Sequence, residues 1–177
     1  EKMKICVIGL GYIGLPTASM FAKAGHNVVG VDKNENIVSA LNRGEIIIEE
    51  NGLLELVQSM VASGRLRGSL IPETADVFII AVPTPITAEK KAEMRYVESA
   101  AQDITPYVRR GNTVILESTS PVSTVDQLLA PILAASGLTI GEELYLGHSP
   151  ERVIPGQILQ ELVRNSRIAG GINAASA

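Results

Sequence analysis

The chain has 177 residues, 46% of them hydrophobic, with 16 glycines, 9 prolines and a formal net charge of −4. At about 150 residues per domain, that length and apolar content fit one domain over residues 1–177 and exclude disordered and low-complexity classes. The negative charge would gather neither nucleic acid nor anionic lipid, and one cysteine and two histidines offer no internal disulfide and no metal spacing. Small molecules in a reducing compartment are the expected partners. Lys2 and Lys4 ahead of Cys6-Val7-Ile8-Gly9-Leu10 imitate a secretory signal, but Gly9, Gly11 and Gly14 break the apolar run. No stretch approaches the ~20 apolar residues of a membrane span, so the expectation is a cytoplasmic protein without a membrane partner.

Short apolar runs alternate with longer segments of helical period, as in successive βαβ units. The pattern predicts strands at Met3–Ile8, Asn27–Val31, Leu66–Leu70, Asp76–Val82, Asn112–Glu117, Leu144–Gly147 and Arg167–Ala169. It predicts helices at Tyr12–Ala24 closed by Gly25, Asn34–Asn42, Leu53–Ala62, Met94–Val108, Thr124–Ala135 and Ile158–Val163, with Thr124 as an N-cap. Pro106 falls in the last turns of the fourth helix, and Glu45–Asn51 stays open between strand and exposed loop. The expected fold is an α/β Rossmann-type, doubly wound, mainly parallel sheet with helices on both faces. Ligands of such sheets bind at the carboxyl ends of the strands, which singles out Gly9–Gly14, Asp32, Pro83–Pro85, Ser118–Pro121 and Ser149–Gly156.

Gly9-Leu10-Gly11-Tyr12-Ile13-Gly14 matches G-x-G-x-x-G between a predicted strand and a predicted helix. Gly9 would permit the tight turn, Gly11 the approach of a pyrophosphate, and Gly14 close packing of helix on strand. The amides of Tyr12 and Ile13 lie where the first helical turn attracts an anion. Asp32, at the end of the second predicted strand, could accept hydrogen bonds from an adenosine ribose and would repel a 2′-phosphate. NAD is therefore the expected cofactor, with neighbouring Lys33 as the counter-argument and an N-cap role as the alternative for Asp32. Thr84 could place its hydroxyl against ribose or nicotinamide, and Thr119 could orient water or substrate. The Ser149–Gly156 loop carries Glu151 and Arg152, which could equally be a surface ion pair. Cys6 reads as a buried, inert thiol, His26 has no role, and Arg65-Leu66-Arg67 reads as a solvated face.

Val7–Ala18 (VIGLGYIGLPTA), Val29–Asp32 (VGVD), Ala81–Pro85 (AVPTP), Tyr96–Ala101 (YVESAA), Val114–Val122 (VILESTSPV) and Ser149–Gln157 (SPERVIPGQ) together resemble the N-terminal domain of the nucleotide-sugar 6-dehydrogenase family. The resemblance implies oxidation of a UDP-sugar C6 alcohol to a carboxylate with two NAD, through a thiohemiacetal and a thioester on a cysteine. By position it implies NAD contacts from Tyr12, Ile13, Asp32, Thr84 and Thr119, with Thr119 also near the catalytic water. Glu151 corresponds to the glutamate that assists thioester hydrolysis, and Arg152 and Val153 to a loop touching the nucleotide sugar. Pro155 stands where the UDP-glucose branch has a second glutamate, which favours the N-acetylmannosamine branch. Ser123 stands where the family commonly has glycine. The family's catalytic cysteine, lysine and asparagine, and the helix through which its members form homodimers, would lie past Ala177. This reading therefore expects a fragment that binds NAD without completing catalysis alone. Another UDP-sugar substrate, or a non-catalytic NAD-sensing module sharing the glycine motif, are the alternatives.

Overall fold

A computed structural model describes residues 2–177. The apolar runs alternate sides along each strand. Ile5 and Val7 of β1 (Lys4–Ile8) enter one apolar layer, while Cys6 and Ile8 enter the other. In β4 (Val77–Ile80), Phe78 and Ile80 join Cys6 and Ile8, and Ile79 joins Val7. Strands apolar on both faces suit a parallel sheet, whose crossover helices cover both sides.

The remaining strands are β2 (Asn27–Val31), β3 (Leu66–Ser69), β5 (Asn112–Leu116), β6 (Leu144–His148) and β7 (Gly170–Gly171). Their spatial order is β3-β2-β1-β4-β5-β6-β7, parallel throughout except for β7, which runs antiparallel to β6. Strand order reverses between β1 and β4, the position at which doubly wound sheets open a ligand crevice. On one face, α1 (Gly14–Lys23), α2 (Glu35–Asn42) and α3 (Leu53–Ala62) bury Leu15, Ala18, Leu41, Leu53 and Val57. On the other, α4 (Arg95–Ile104) and the segment around α5 (Ala130–Leu133) bury Val97, Ala101, Ile104, Leu129 and Leu133. Each fully buried Leu, Ile or Phe contributes about 1.5–3 kcal/mol relative to exposure, so the two layers are the main source of stability. α6 (Ile158–Arg164) follows β6 and contacts α1. Among the described residues, no helix is long and apolar enough to cross a membrane.

Several boundaries differ from the pattern for identifiable reasons. α1 begins at Gly14 because Gly9–Ile13 form the turn. α4 stops at Ile104, two residues before Pro106, whose ring and missing N–H end the helix. Glu45–Asn51 is a loop. The Thr124–Ala135 helix is interrupted: Val125–Leu129 is a π-helical turn, closed by Ala130 N–H donating to Val125 O, ahead of α5 and a short 3₁₀ turn at Ala134–Ser136. Pro131 cannot donate to the carbonyl four residues back, which accounts for the altered ladder there. Thr124 is not a cap. Its backbone is already helical, and its Oγ1 donates to Pro121 O at 2.7 Å. The last strand is Gly170–Gly171 rather than Arg167–Ala169, since only the glycines pair with Gly147 and His148.

Cys6 is fully buried in β1, and burial pushes its thiol up to about 11. We expect no labelling by iodoacetamide in the native protein at pH 8 and stoichiometric labelling in denaturant, read by mass spectrometry. Native labelling would show that β1 is open to solvent.

Candidate active site

Gly9 leaves β1 at φ +94°, a conformation L side chains rarely adopt, and a Cβ there would stand 2.7 Å from Ala81 O. A Cβ on Gly14 would collide with the Gly9 carbonyl. Around Gly11, by contrast, nothing lies within 4 Å of the position a Cβ would take. Two glycines are thus required by the fold, and the third faces open space. Gly11 O accepts from Leu15 N at 3.2 Å and Ile13 O from Thr17 N at 3.0 Å, while the amides of Tyr12 and Ile13 have no acceptor among the described residues. These free donors sit at the positive end of α1, whose first turn holds no acidic side chain. The cradle fits a dinucleotide pyrophosphate.

Asp32 closes the cradle from β2. Its Oδ2 accepts from Leu10 N and its Oδ1 from Asn34 N, each at 2.9 Å. The helix cap is Asn34, whose Oδ1 accepts from Asn36 N at 3.0 Å, so the N-cap alternative for Asp32 does not hold. Lys33 turns away: its Nζ donates to Ser99 Oγ at 2.7 Å and pairs with Asp103 Oδ2 at 2.8 Å, both on α4. A cation so engaged is poorly placed to offset Asp32 toward a 2′-phosphate.

The other carboxyl-end loops are bonded in a row. Thr84 Oγ1 donates to Thr119 O at 2.6 Å, Ser118 Oγ donates to Val82 O at 2.7 Å, and Glu151 N donates to Glu117 O at 3.3 Å. Thr84 and Thr119 are therefore neighbours, 35 residues apart in sequence. Thr119 is exposed on the rim. Ser123, in the same connection, adopts φ +67°, which is strained for any residue but glycine. Ser123→Gly should raise stability by roughly 0.5–1 kcal/mol, the relief of about 1–2 kcal/mol exceeding the entropy lost to glycine. Chemical denaturation checks this, and an unchanged or lowered midpoint would contradict it.

Glu151 is not paired with its neighbour Arg152. Arg152 offers its backbone N–H to Glu151 Oε1 at 2.7 Å, while its guanidinium reaches Ser166 O at 3.4 Å. Val153 is half-buried. The cation serving Glu151 is Arg167, whose Nη2 lies 2.7 Å from Glu151 Oε2 and 2.6 Å from Glu117 Oε1. Only the Glu117 contact has hydrogen-bond geometry, so Glu117 Oε2 and Glu151 Oε2 are both buried without a donor. Thr17 Oγ1 of α1 adds a hydrogen bond to Glu117 Oε1 at 3.3 Å. Burial pushes the Glu117 carboxyl above the usual carboxylate range, against the pull of Arg167 and Thr17 and with the aid of the Glu151 charge.

The loop after Glu151 is held from a distance. Glu50 accepts from Gly156 N at 2.6 Å and Ile158 N at 2.8 Å, and Asn51 Nδ2 donates to Gly156 O at 2.8 Å. A cleft of about 650 Å³ between Ile46–Asn51 and Gly156 accompanies this contact. A smaller hollow of about 200 Å³ lies among Ser123–Asp126, His148 and Gly170–Ile172. Neither includes the glycine cradle, which lies at the switch point between β1 and β4.

Sequence reasoning missed Arg167, Glu117 and Glu50. Arg167 lies 50 residues from Glu117, and Glu50 lies 106 from Gly156, so no local pattern marks either contact.

Fold and cradle together define an NAD-binding Rossmann domain. The chain belongs to the UDP-glucose/GDP-mannose dehydrogenase family: the family description "UDP-glucose/GDP-mannose dehydrogenase family, NAD binding domain" matches residues 3–177. A UDP-N-acetyl-D-mannosamine dehydrogenase of Methanococcus maripaludis is 50% identical over 98% of this chain and 40% of its own length. An NDP-N-acetyl-D-galactosaminuronic acid dehydrogenase of Ralstonia nicotianae is 47% identical over 95% of this chain and 41% of its own. The solved UDP-N-acetyl-mannosamine dehydrogenase Cap5O of Staphylococcus aureus superposes with a TM-score of 0.94 at 48% identity, covering 98% of this chain and 42% of that one. The chain thus spans about 40% of the length of the curated relatives it matches.

Proposed function

We propose that this chain is the NAD-binding half of a UDP-N-acetyl-D-mannosamine 6-dehydrogenase, acting in the cytoplasm as a homodimer and oxidising the sugar C6 alcohol to a carboxylate for surface polysaccharides. The carrying observation is the row of rim contacts that sets Thr84, Thr119 and Glu151 in adjoining loops on the same sheet edge as the glycine cradle. A module that merely senses a nucleotide has no need of a buried glutamate there. The sugar assignment draws support from the Methanococcus and Staphylococcus relatives. The Ralstonia relative, almost as similar, makes the N-acetylgalactosamine series the second reading.

In this reading Gly9, Gly11 and Gly14 shape the cradle, and the Tyr12 and Ile13 amides bind the pyrophosphate. Asp32 accepts from the adenosine ribose. Thr84 and Thr119 present hydroxyls to the nicotinamide side, and Arg152 and Val153 touch the UDP-sugar. Bound NAD supplies the hydride acceptor. Glu151 takes a proton from the attacking water that Thr119 orients. Fixing these groups in neighbouring short loops reduces the orientational entropy of the reaction.

The test uses the protein at full natural length with UDP-N-acetylmannosamine, its gluco and galacto epimers, and UDP-glucose, following NADH. Expected is turnover of the manno sugar at two NADH per molecule. Glu151→Gln should lower it by about 100-fold or more while leaving NAD affinity within about threefold. NAD binding without NADH from any UDP-sugar would overturn the dehydrogenase reading.

A further inference from the structure

Burying a carboxylate without a full set of donors is costly, and here two such groups lie side by side. Glu117 and Glu151 are both less than a tenth exposed, are joined through the Glu151 N–H and Glu117 O, and share one guanidinium nitrogen. One positive charge cannot neutralise two buried negative ones. The donor count says the same, since Glu117 Oε2 has no donor and Glu151 Oε2 has only the misaligned Arg167 contact. A single proton on the pair removes the excess charge and turns one of the two undonated oxygens into a hydroxyl. Glu117 is the member that holds it, because burial raises its proton affinity in spite of Arg167. Arg167 then acts as the counter-ion of Glu151.

We propose that Arg167 is the positioning residue of this site: anchored on Glu117, it fixes the Glu151 carboxyl at the rim, the two glutamates carrying one proton between them. The inference rests on the acid–base role of Glu151 proposed above. It explains why the residue that follows β5 is a buried glutamate facing α1, where Thr17 Oγ1 is its neutral partner. The charges bearing on Glu117 are Arg167, from the segment before β7, and Glu151, from the loop after β6. His148, at the end of β6, contacts Ser118 O at 3.3 Å and completes the titratable groups of this corner.

The sign of the pH effect follows. Raising the pH through the elevated Glu117 range removes its proton, so it competes for Arg167 and repels the Glu151 charge. Any stability gained from the raised Glu117 affinity is full below the ordinary carboxylate range and is lost as pH rises through the folded-state value. Glu117→Gln keeps the shape and the acceptor for Thr17 while deleting the titration. It should leave the acid limb of the kcat profile in place and remove the fall in kcat at high pH, and its stability relative to the parent should improve as pH rises.

The experiment uses the full-length enzyme with NAD and the UDP-sugar it turns over. Arg167→Ala and Arg167→Lys should each lower kcat by about tenfold or more, with sugar KM and NAD affinity within about threefold. Where the alanine variant fails to fold, Arg167→Lys and Glu117→Gln carry the test. Parent-like kcat and pH profiles in both would overturn the proposal, as would losses confined to KM. Glu151→Gln is measured alongside. If it retains full turnover, the Glu151 role itself is wrong; if it stalls while the Arg167 and Glu117 variants do not, only the positioning role is.

Discussion

Gly11→Val should leave the fold within about 1 kcal/mol of the parent and abolish NAD binding, whereas Gly14→Val should fail to give folded protein. The two glycines lie three positions apart in one motif, yet their surroundings are opposite. A Cβ at Gly11 meets nothing within 4 Å, and its backbone is outside the left-handed region, so a side chain costs the protein little. That same side chain would occupy the approach to the Tyr12 and Ile13 amides, and we expect NAD affinity to fall by at least about 100-fold. At Gly14 the added carbon strikes the Gly9 carbonyl, a backbone atom held by the Gly9 N–H to Val31 O bond at 2.8 Å. Prising α1 off β1 costs more than the usual 1–3 kcal/mol of overpacking, a large share of a total stability of about 5–15 kcal/mol. Thermal melting and NAD calorimetry on full-length protein separate the outcomes. Normal NAD binding by Gly11→Val would place the dinucleotide elsewhere.

Asp32→Ala should weaken NAD by about 100-fold or more, with only a modest loss of stability. Hydrogen bonds from ribose hydroxyls to a carboxylate are worth about 1.5–3 kcal/mol each, and about 1.4 kcal/mol is a factor of ten. Two backbone donors lose their acceptor as well: exposed Asn34 N turns to solvent, whereas Leu10 is fully buried, and its unpaired N–H accounts for a stability loss of about 1–3 kcal/mol. Lys33→Ala serves as the control. With the ammonium already engaged by Ser99 and Asp103, its removal should change NAD and NADP affinities by less than about threefold. Parallel titrations with both nucleotides check the pair of variants. An Asp32→Ala protein with parental NAD affinity would remove Asp32 from the site.

The parts of the fold legible in sequence were those with a dense local signal. Asn27–Val31 and Leu53–Ala62 were read with their observed bounds, because an apolar run and an amphipathic period ending in glycine leave little choice. The glycine cradle was legible for the same reason, Gly9 and Gly14 answering local steric demands while Gly11 leaves open space between them. β7 was misplaced because two glycines paired to a strand edge have no periodicity to detect. Thr124 was misread as a cap because a threonine ahead of an apolar segment is a good cap in isolation; here its own backbone is already helical and its hydroxyl turns back to Pro121 O. Glu151 was singled out from its loop, but its cation was not, since Arg152 is adjacent in sequence while Arg167 is adjacent only in space.

The pairing of β1 with β4 has a kinetic consequence. Ile5 sits opposite Val77, so the innermost strand gains its second neighbour only after a further 72 positions of chain exist. Until then β1, β2 and β3 form a partial sheet with the β1 edge bare, offering unpaired amides and carbonyls to any other extended chain. Parallel pairings between such remote segments form slowly. Nascent chains should therefore be most vulnerable to self-association just before Val77–Ile80 leaves the ribosome, and assistance from a chaperone would matter most at that stage.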